Sequence, residues 1–553
     1  MGKIKMANIK VPKKQFEREI GKLDKKMQEK IALFGTPVES ITENYLEIEI
    51  FPNRPDLLSY HGFKRSFLAF LGRKTRLKEY KLHRPEKNYT VKVESSVKEV
   101  RPYTMCAIIK NLRLTEDKIK EIIEIQEKLH TTIGRKRKKL AIGIYPLEKI
   151  TLPITYKALE PDKIKFIPLE SGRAMSGLEI LQRHPAGKEY SHLLKGKTKF
   201  PIFVDHAKQI LSMPPIINSE LTGRVTEKTR DVFIECSGFD QKILKKCLSI
   251  IVTIFAEMGG RIYQMKIKSK DTQITPELKT EKMKISIENT NKTLGMNFQE
   301  KQIKQYIEKM GHNYYKGEVE IASWRTDILH EVDLIEEVAI AYGYENFIPQ
   351  IPQISTIGEK DQKEVIKQKI SNILQGIGIL EISSHHLTTK ENQFKKMGIN
   401  EKSEPEYLEV IESKTENNIL RRNLSSGILK TFSKNIDSEY PQKICEIGKT
   451  FQIKSGKINE KENLSIAICP GNFTEIKQIL EYLEKILNIK LEIKETNNPP
   501  QHFIDGRTGN ILFKDKEIGF IGEIHPKILK NWKIKMPVSL LEFELEDIFK
   551  EFS

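Results

Sequence analysis

The stretch RTDILHEVDLIEEVAIAYGY, residues 325–344, reads as a capped helix carrying four acids. Asp327 stands where an N-cap belongs, because a short acid there accepts from first-turn N–H groups. Asp333, Glu336 and Glu337 follow at spacings that share a helix face. Val332, Ile335, Val338 and Ala339 mark the opposite, buried stripe, and Gly343 the C-terminal stop. Carboxylates crowded this closely repel one another, so an ordered arrangement implies a cation. Magnesium, with hard oxygen ligands and retained waters, suits Asp327, Asp333, Glu336 and Glu337 best. On pattern alone, a solvated acidic face with Asp327 as an ordinary cap is the competing reading.

Beyond that helix, 553 residues are too many for one core and suggest about three or four domains. Hydrophobic content of 38% and charged content of 30% suit a globular, non-membrane chain. The start, MGKIKMANIKVPKKQFEREIG, has no apolar segment of the signal-peptide kind. No run approaches the roughly 18 apolar residues of a membrane span; LSIIVTIFAE at 248–257 reads as a buried helix. The five cysteines form no CxxC pair, which argues against a zinc ribbon or disulfide framework and for the cytoplasm. The net charge of +18 has two readings, attraction to RNA phosphates or a coding bias towards Lys, Ile and Asn.

Four units are expected, at 1–90, 91–270, 271–350 and 362–553, with a Pro-rich linker at 347–361. In the first, YLEIEI is a strand with Leu46, Ile48 and Ile50 on one face, and Asp56 or Ser59 caps the helix ending at Gly72. In the second, a helix from Thr115 carries Ile119, Ile122, Ile123 and Leu129. The basic run RKRKK at 135–139 follows it, as a solvated loop or an RNA contact. In the third, KMKISIENTNKTLGMNFQEKQIKQYIEKMGHNY predicts a strand, a loop and a helix ending at Gly311. In the fourth, ILEISSHHLTT is strand-like, and residues 505–526 predict a hairpin turning at Lys514–Lys516. His385, His386, His184 and His192 lack the spacing of a metal site.

Four segments share one resemblance. Arg325-x-Asp327-Ile328, then Asp333-Leu334-Ile335-Glu336-Glu337 and Tyr342-Gly343-Tyr344, resemble the acidic signature of the phenylalanyl-tRNA synthetase beta subunit. Phe51-Pro52-Asn53-Arg54-Pro55-Asp56, with Gly62 and Arg65 on the next helix, is similar to a second family motif. Ser212 to Glu220 and Glu235-Cys236-Ser237-Gly238, with HPAGKEYSHLL at 184–194, resemble the editing domain of the archaeal and eukaryotic type. Leu420-Arg421-Arg422-Asn423-Leu424, Glu446-Ile447-Gly448 and Gly522 to Pro526 resemble the family's class II synthetase-like core. In family order these segments span nearly the whole chain. The bacterial type is longer, with extra tRNA-binding modules at both ends.

The resemblance implies an α/β and α+β multidomain chain: an α/β editing domain, a small domain of nucleic-acid-binding type, and an antiparallel class II-like pseudo-catalytic core. It implies an alpha-subunit partner in an α2β2 tetramer, phenylalanine tRNA, and no membrane. ATP would be a substrate of the assembly, and magnesium would sit on the four acids. In the core no convincing Arg-Glu pair or Gly-rich Arg motif for ATP is present, and Arg421, Arg422 and Arg507 are candidates by residue type only.

Editing answers a physical problem. A hydrophobic phenylalanine pocket rejects the same ring bearing a hydroxyl by only about 100-fold. A second pocket must therefore bind that hydroxyl and present water to the ester. By resemblance, Glu235 accepts the tyrosine hydroxyl, while Asn218, Ser219, Ser212 and Ser237 orient ester and water. No Ser-His-Asp order is apparent, which favours direct attack by water. Read without the family, Pro-Pro followed by Asn-Ser is a turn with local side-chain bonds. Where similar subunits tend to have His-Asp, this chain has Tyr145-Pro146, and no role is assigned there. Two rival functions remain, a stand-alone RNA-binding scaffold and a free-standing aminoacyl-tRNA hydrolase.

Overall fold

The computed structural model describes residues 7–352, 357–401, 406–496 and 498–552. The chain separates into two compact units, residues 1–351 and 352–553. Of the expected linker, residues 353–356 lie outside the described residues, and 347–352 and 357–361 form neither helix nor strand. Among the described residues, no helix is long and apolar enough to cross a membrane.

In the first unit, strand Tyr45–Ile50 lies between Ala7–Pro12 and Val38–Ile41, all antiparallel. Its alternation is the predicted one: Leu46, Ile48 and Ile50 are fully buried. Each contributes roughly 1.5–3 kcal/mol by leaving water. Ser59 caps helix Tyr60–Phe70, accepting from the Gly62 N–H at 3.0 Å, whereas Asp56 pairs with Arg54. Gly62 has a steric reason: a Cβ there would lie 2.1 Å from the Asp56 carbonyl oxygen. Arg65, one turn on, lays its guanidinium over the Trp324 ring at 4.2 Å.

Among the described residues, eleven strands form the large sheet. Its main path runs Ile217–Asn218, Ile210–Met213, Phe200–Val204, Ile154–Leu159, Thr90–Val93, Arg261–Lys268, Tyr103–Lys110, Val232–Gly238 and Leu140–Pro146. Leu82–His83, from the expected first unit, also pairs with Arg261–Lys268. The central strands are buried on both faces, as near-continuous apolar runs require. Met105, Ala107 and Ile109 enter the core beneath helix Gln241–Glu257, and Cys106 and Ile108 the core on the other face. The path does not end in two distant edges. Tyr145, on one terminal strand, reaches Asn218, on the other, at 3.2 Å, so the sheet curls on itself.

A small module follows, with strands Glu281–Lys284, Glu318–Ile321 and Asn313–Tyr315 and helix Glu331–Tyr342 over them. Here several expectations change. The predicted loop after the first strand contains helix Ile287–Leu294, capped by Ser286 and anchored by buried Thr290. The acidic helix starts later than predicted: its N-cap is His330, not Asp327. Asp333 completes the capping box, because its Oδ2 accepts from the Leu329 and His330 N–H groups at 2.7 and 2.8 Å. Val332 is 50% exposed and leaves the stripe, while Ile335, Val338 and Ala339 are buried. Gly343 ends the helix as expected, at φ +100°. Ile123 is likewise exposed on its helix, and Ile125 takes its place in the core.

Among the described residues, the second unit has a seven-stranded sheet. The order is Leu380–Glu381, Gln442–Lys454, Lys457–Cys469, Ser539–Glu544, Lys516–Ile524, Phe503–Phe513 and Leu491–Glu495, antiparallel after a first parallel pair. Helices Gln362–Gly376 and Phe473–Leu487 cover one face; Ser425–Lys434 and Pro526–Trp532 cover the other. The hairpin turns at Lys514 and Asp515, both at positive φ. The segment ILEISSHHLTT yields only two-residue strands.

Candidate functional site

A buried carboxyl lies in the large sheet. Glu235 is 2% exposed on strand Val232–Gly238, opposite Gly143. Burial pushes its pKa up to about 8, against the pull of Arg101, of the Tyr145 hydroxyl and of the neighbouring Ser237. Its Oε1 accepts from the Tyr145 hydroxyl at 3.3 Å, and its Oε2 is buried with no partner. That hydroxyl also donates to Oδ1 of Asn218 at 3.2 Å, so one proton is shared between two acceptors. Asn218 is positioned by pairing with Ser212. The Ser212 hydroxyl faces Tyr145 but makes no well-formed hydrogen bond. Ser237 accepts from Arg101 through its hydroxyl at 3.2 Å and through its carbonyl at 2.7 Å.

Of the five predicted editing residues, four therefore gather: Ser212, Asn218, Glu235 and Ser237. Ser219 is buried alongside and held by its backbone, donating to the Leu211 carbonyl at 2.8 Å. Sequence reasoning missed Tyr145, Arg101 and Gly143. The available signal was a lone hydroxyl in the otherwise apolar strand LAIGIYP. Gly143 makes the contact possible, since a Cβ there would lie 2.1 Å from the Tyr145 hydroxyl and 2.6 Å from Glu235 Oε1.

The four acids of 325–344 are arranged differently from expectation. Arg325 is buried and forks onto two of them. It donates to Asp327 at 2.8 and 2.6 Å and to Glu337 at 2.7 and 3.1 Å. Burial alone would raise the Glu337 pKa; Arg325, His312 and Arg54 outweigh it and hold the carboxyl far below the usual range. Arg54, bidentate to Asp56 at 2.9 Å, lies 4.0 Å from both Asp327 and Glu337. The two motifs thus meet in one buried ion network. The cation that orders half the cluster is a guanidinium. Among the described residues, no three His, Cys, Asp or Glu side chains converge as a metal-binding group. Asp333 is engaged as a cap, and Glu336 remains exposed. The Glu336 pKa is raised by partial burial and by the charges of Glu337, Asp333 and Asp327. Part of the cluster's negative field is therefore unrelieved.

In the second unit, Arg421 donates to Glu446 at 2.5 Å, to Ser384 Oγ at 2.8 Å and to the Lys449 carbonyl at 2.7 Å. Arg507 pairs with Glu523 at 2.7 Å. The Arg422 N–H donates to Gln393 at 3.1 Å.

The description "tRNA synthetase B5 domain" matches residues 283–344, and "Phenylalanyl tRNA synthetase beta chain CLM domain" matches 348–545. The class is thus that of aminoacyl-tRNA synthetase chains. The beta subunit of phenylalanine–tRNA ligase from Archaeoglobus fulgidus is 36% identical over 547 residues, 97% of each chain. That of Thermococcus sibiricus is 38% identical over 508 residues, 90% of each. A crystal structure of an N-terminal fragment of the Pyrococcus horikoshii beta subunit is similar at TM-score 0.58 and 35% identity, covering 61% of this chain and 99% of that one. The chain belongs to the phenylalanyl-tRNA synthetase beta-subunit family, of archaeal type.

Proposed function

We propose that this beta subunit works with an alpha subunit, in an α2β2 assembly in the cytoplasm, to attach phenylalanine to its tRNA at the expense of ATP. A beta chain implies an alpha chain, and the relatives' shared description supports that partner. The antiparallel sheet with helices on both faces suits a class II-like core over 362–553. Its role in ligation is noncatalytic. The guanidinium of Arg421 is buried against Glu446, which removes one candidate for phosphate binding. The module at 271–350 is assigned to nucleic-acid binding.

The second activity is editing of tyrosyl-tRNA in 91–270. One observation carries it: Ser212, Asn218 and Glu235, from three strands, surround a single buried phenol, and Ser237 stands beside Glu235. A carboxyl with a pKa near 8 is mostly protonated at neutral pH. It can face a bound phenol without the cost of a buried unpaired anion. Phenylalanine offers no hydroxyl and leaves these groups unpaired, which is the stronger form of discrimination. With the ring held, Asn218, Ser212 and Ser219 orient the ester and water. The water oxygen bonds to the ester carbonyl carbon, the carbon–oxygen bond to the tRNA ribose breaks, and a proton passes to the ribose oxygen. Free tyrosine and uncharged tRNA result. Incubating tyrosyl-tRNA(Phe) with the assembled enzyme tests this: Glu235→Ala slows its deacylation while phenylalanine charging persists. Deacylation unchanged by Glu235→Ala overturns the assignment.

We also assign magnesium to the acid cluster, on Glu336 and Asp333 within a water-rich shell. Magnesium binds through one or two carboxylates and retains waters, which suits the unrelieved field at Glu336. Asp327 and Glu337, already held by Arg325, would add negative field. The ion would supply a fixed positive charge there, stabilising the contact with the alpha subunit.

A further inference from the structure

The editing reading leaves Tyr145 unexplained. Its ring is 0% exposed and lies 5.8 Å from Phe233, in the core formed by Leu211, Met213 and Ile216. Its hydroxyl is a phenol hydroxyl, and it lies between Glu235 and Asn218, the groups to which the reading gives recognition of a tyrosine phenol and orientation of its ester.

We propose that Tyr145 is a built-in occupant of the tyrosine pocket, holding the place of the substrate's phenol and gating its entry. This rests on the editing reading.

Three observations carry it. First, the cluster holds more polar groups than one phenol can satisfy. Glu235 Oε2 and Ser212 Oγ stay buried without partners. Buried polar atoms are nearly always paired, so the pair marks a site built for more groups than it holds. Second, the fit depends on a vacancy in the strand: Gly143 has no side chain where the Tyr145 hydroxyl reaches Glu235. Third, the occupant sits on a seam. No strand ladder joins the terminal strands Leu140–Pro146 and Ile217–Asn218. They meet through the Tyr145–Asn218 bond, reinforced by Arg137, which donates to the Ile216 carbonyl at 2.9 Å. Asn218 is itself half-buried, at the outer end of the group. Parting this seam breaks a few side-chain bonds and the apolar contacts of the Tyr145 ring, but not the row of backbone bonds that a ladder holds. Tyr145 is thus a specificity-determining residue. A substrate must bring a phenol able to replace it, and phenylalanine cannot.

Two measurements test this. In the first, the full chain is heated with p-cresol or toluene as probes. Tyr145→Ala leaves a ring-sized hole beside Glu235 and Asn218. p-Cresol is expected to raise its melting temperature more than toluene, with no effect of either on wild type or Tyr145→Phe, whose ring still fills the space. Equal shifts by the two probes, or a p-cresol shift in wild type, overturn the proposal. In the second, the chain assembled with its alpha subunit deacylates tyrosyl-tRNA(Phe), with Tyr145→Ala at least tenfold faster than wild type. If wild type is as fast as Tyr145→Ala, the gate is overturned and editing stands. If p-cresol binds selectively but no form deacylates, the phenol site stands and the editing reading fails.

Discussion

Arg325 and Glu337 face each other across two hydrogen bonds of 2.7 and 3.1 Å, both side chains almost fully buried. Removing one partner of such a pair strands a charge and costs about 3–5 kcal/mol. Arg325→Met is therefore expected to lower the unfolding free energy of the full chain by that amount, measured by denaturant titration. Arg325→Lys does not restore it, because one ammonium cannot fork onto both Asp327 and Glu337. Because Glu337 is held below its ordinary value, its contribution is present above the normal carboxylate range and is lost as pH falls through the folded value.

Glu336 and Asp333 separate when tested. Glu336→Gln removes an exposed charge already opposed by its neighbours, so magnesium affinity falls several-fold with little loss of stability. Asp333→Asn keeps an acceptor for the capping box but removes a ligand charge. Calorimetric magnesium titration of wild type and the double variant checks this. Identical binding and identical assembly would mean that the acids form only a solvated face.

Glu235 gives the protein a pH signature. Its folded pKa of about 8 exceeds the ordinary 4.5, so its contribution is complete below about 4.5 and is lost as pH rises to about 8. One proton sets the slope at no more than about 1.4 kcal/mol per pH unit. Glu235→Gln keeps the shape and lacks the proton. Its stability is expected to be flatter than that of wild type between pH 5 and 8, read by denaturation at each pH. Parallel curves would show that Glu235 is ionised throughout.

Asn218→Ala and Ser219→Ala are expected to slow tyrosyl-tRNA(Phe) deacylation about tenfold or more by misplacing ester or water. Phenylalanine charging by the same preparations persists. If charging falls in step with deacylation, the two residues serve folding.

Local signals were legible in the sequence. The alternation at Leu46, Ile48 and Ile50, a cap at Asp56 or Ser59, the helix start at Thr115 and the stop at Gly343 each depend on neighbours within a few residues. The helix Ile287–Leu294 was not legible: IENTNKTL is rich in poor helix formers, and the cap at Ser286 and buried Thr290 secure it. The four acids were found, but Asp327 was misread as a cap, because its true partner, Arg325, points inwards only once Glu337 is packed beside it. Ser212, Asn218, Glu235 and Ser237 are expected together from motif likeness alone, and the structure brings them to one cluster. Tyr145 was passed over because its role needs the two ends of a curled sheet to meet, which no local pattern encodes.

This chain is expected to support phenylalanine charging only with an alpha subunit. The most direct measurement is phenylalanine-dependent ATP–pyrophosphate exchange by the purified chain, alone and co-purified with that partner. The expected result is no exchange by the single chain and exchange by the stoichiometric complex. Exchange by the single chain, or failure to form the complex, would contradict it.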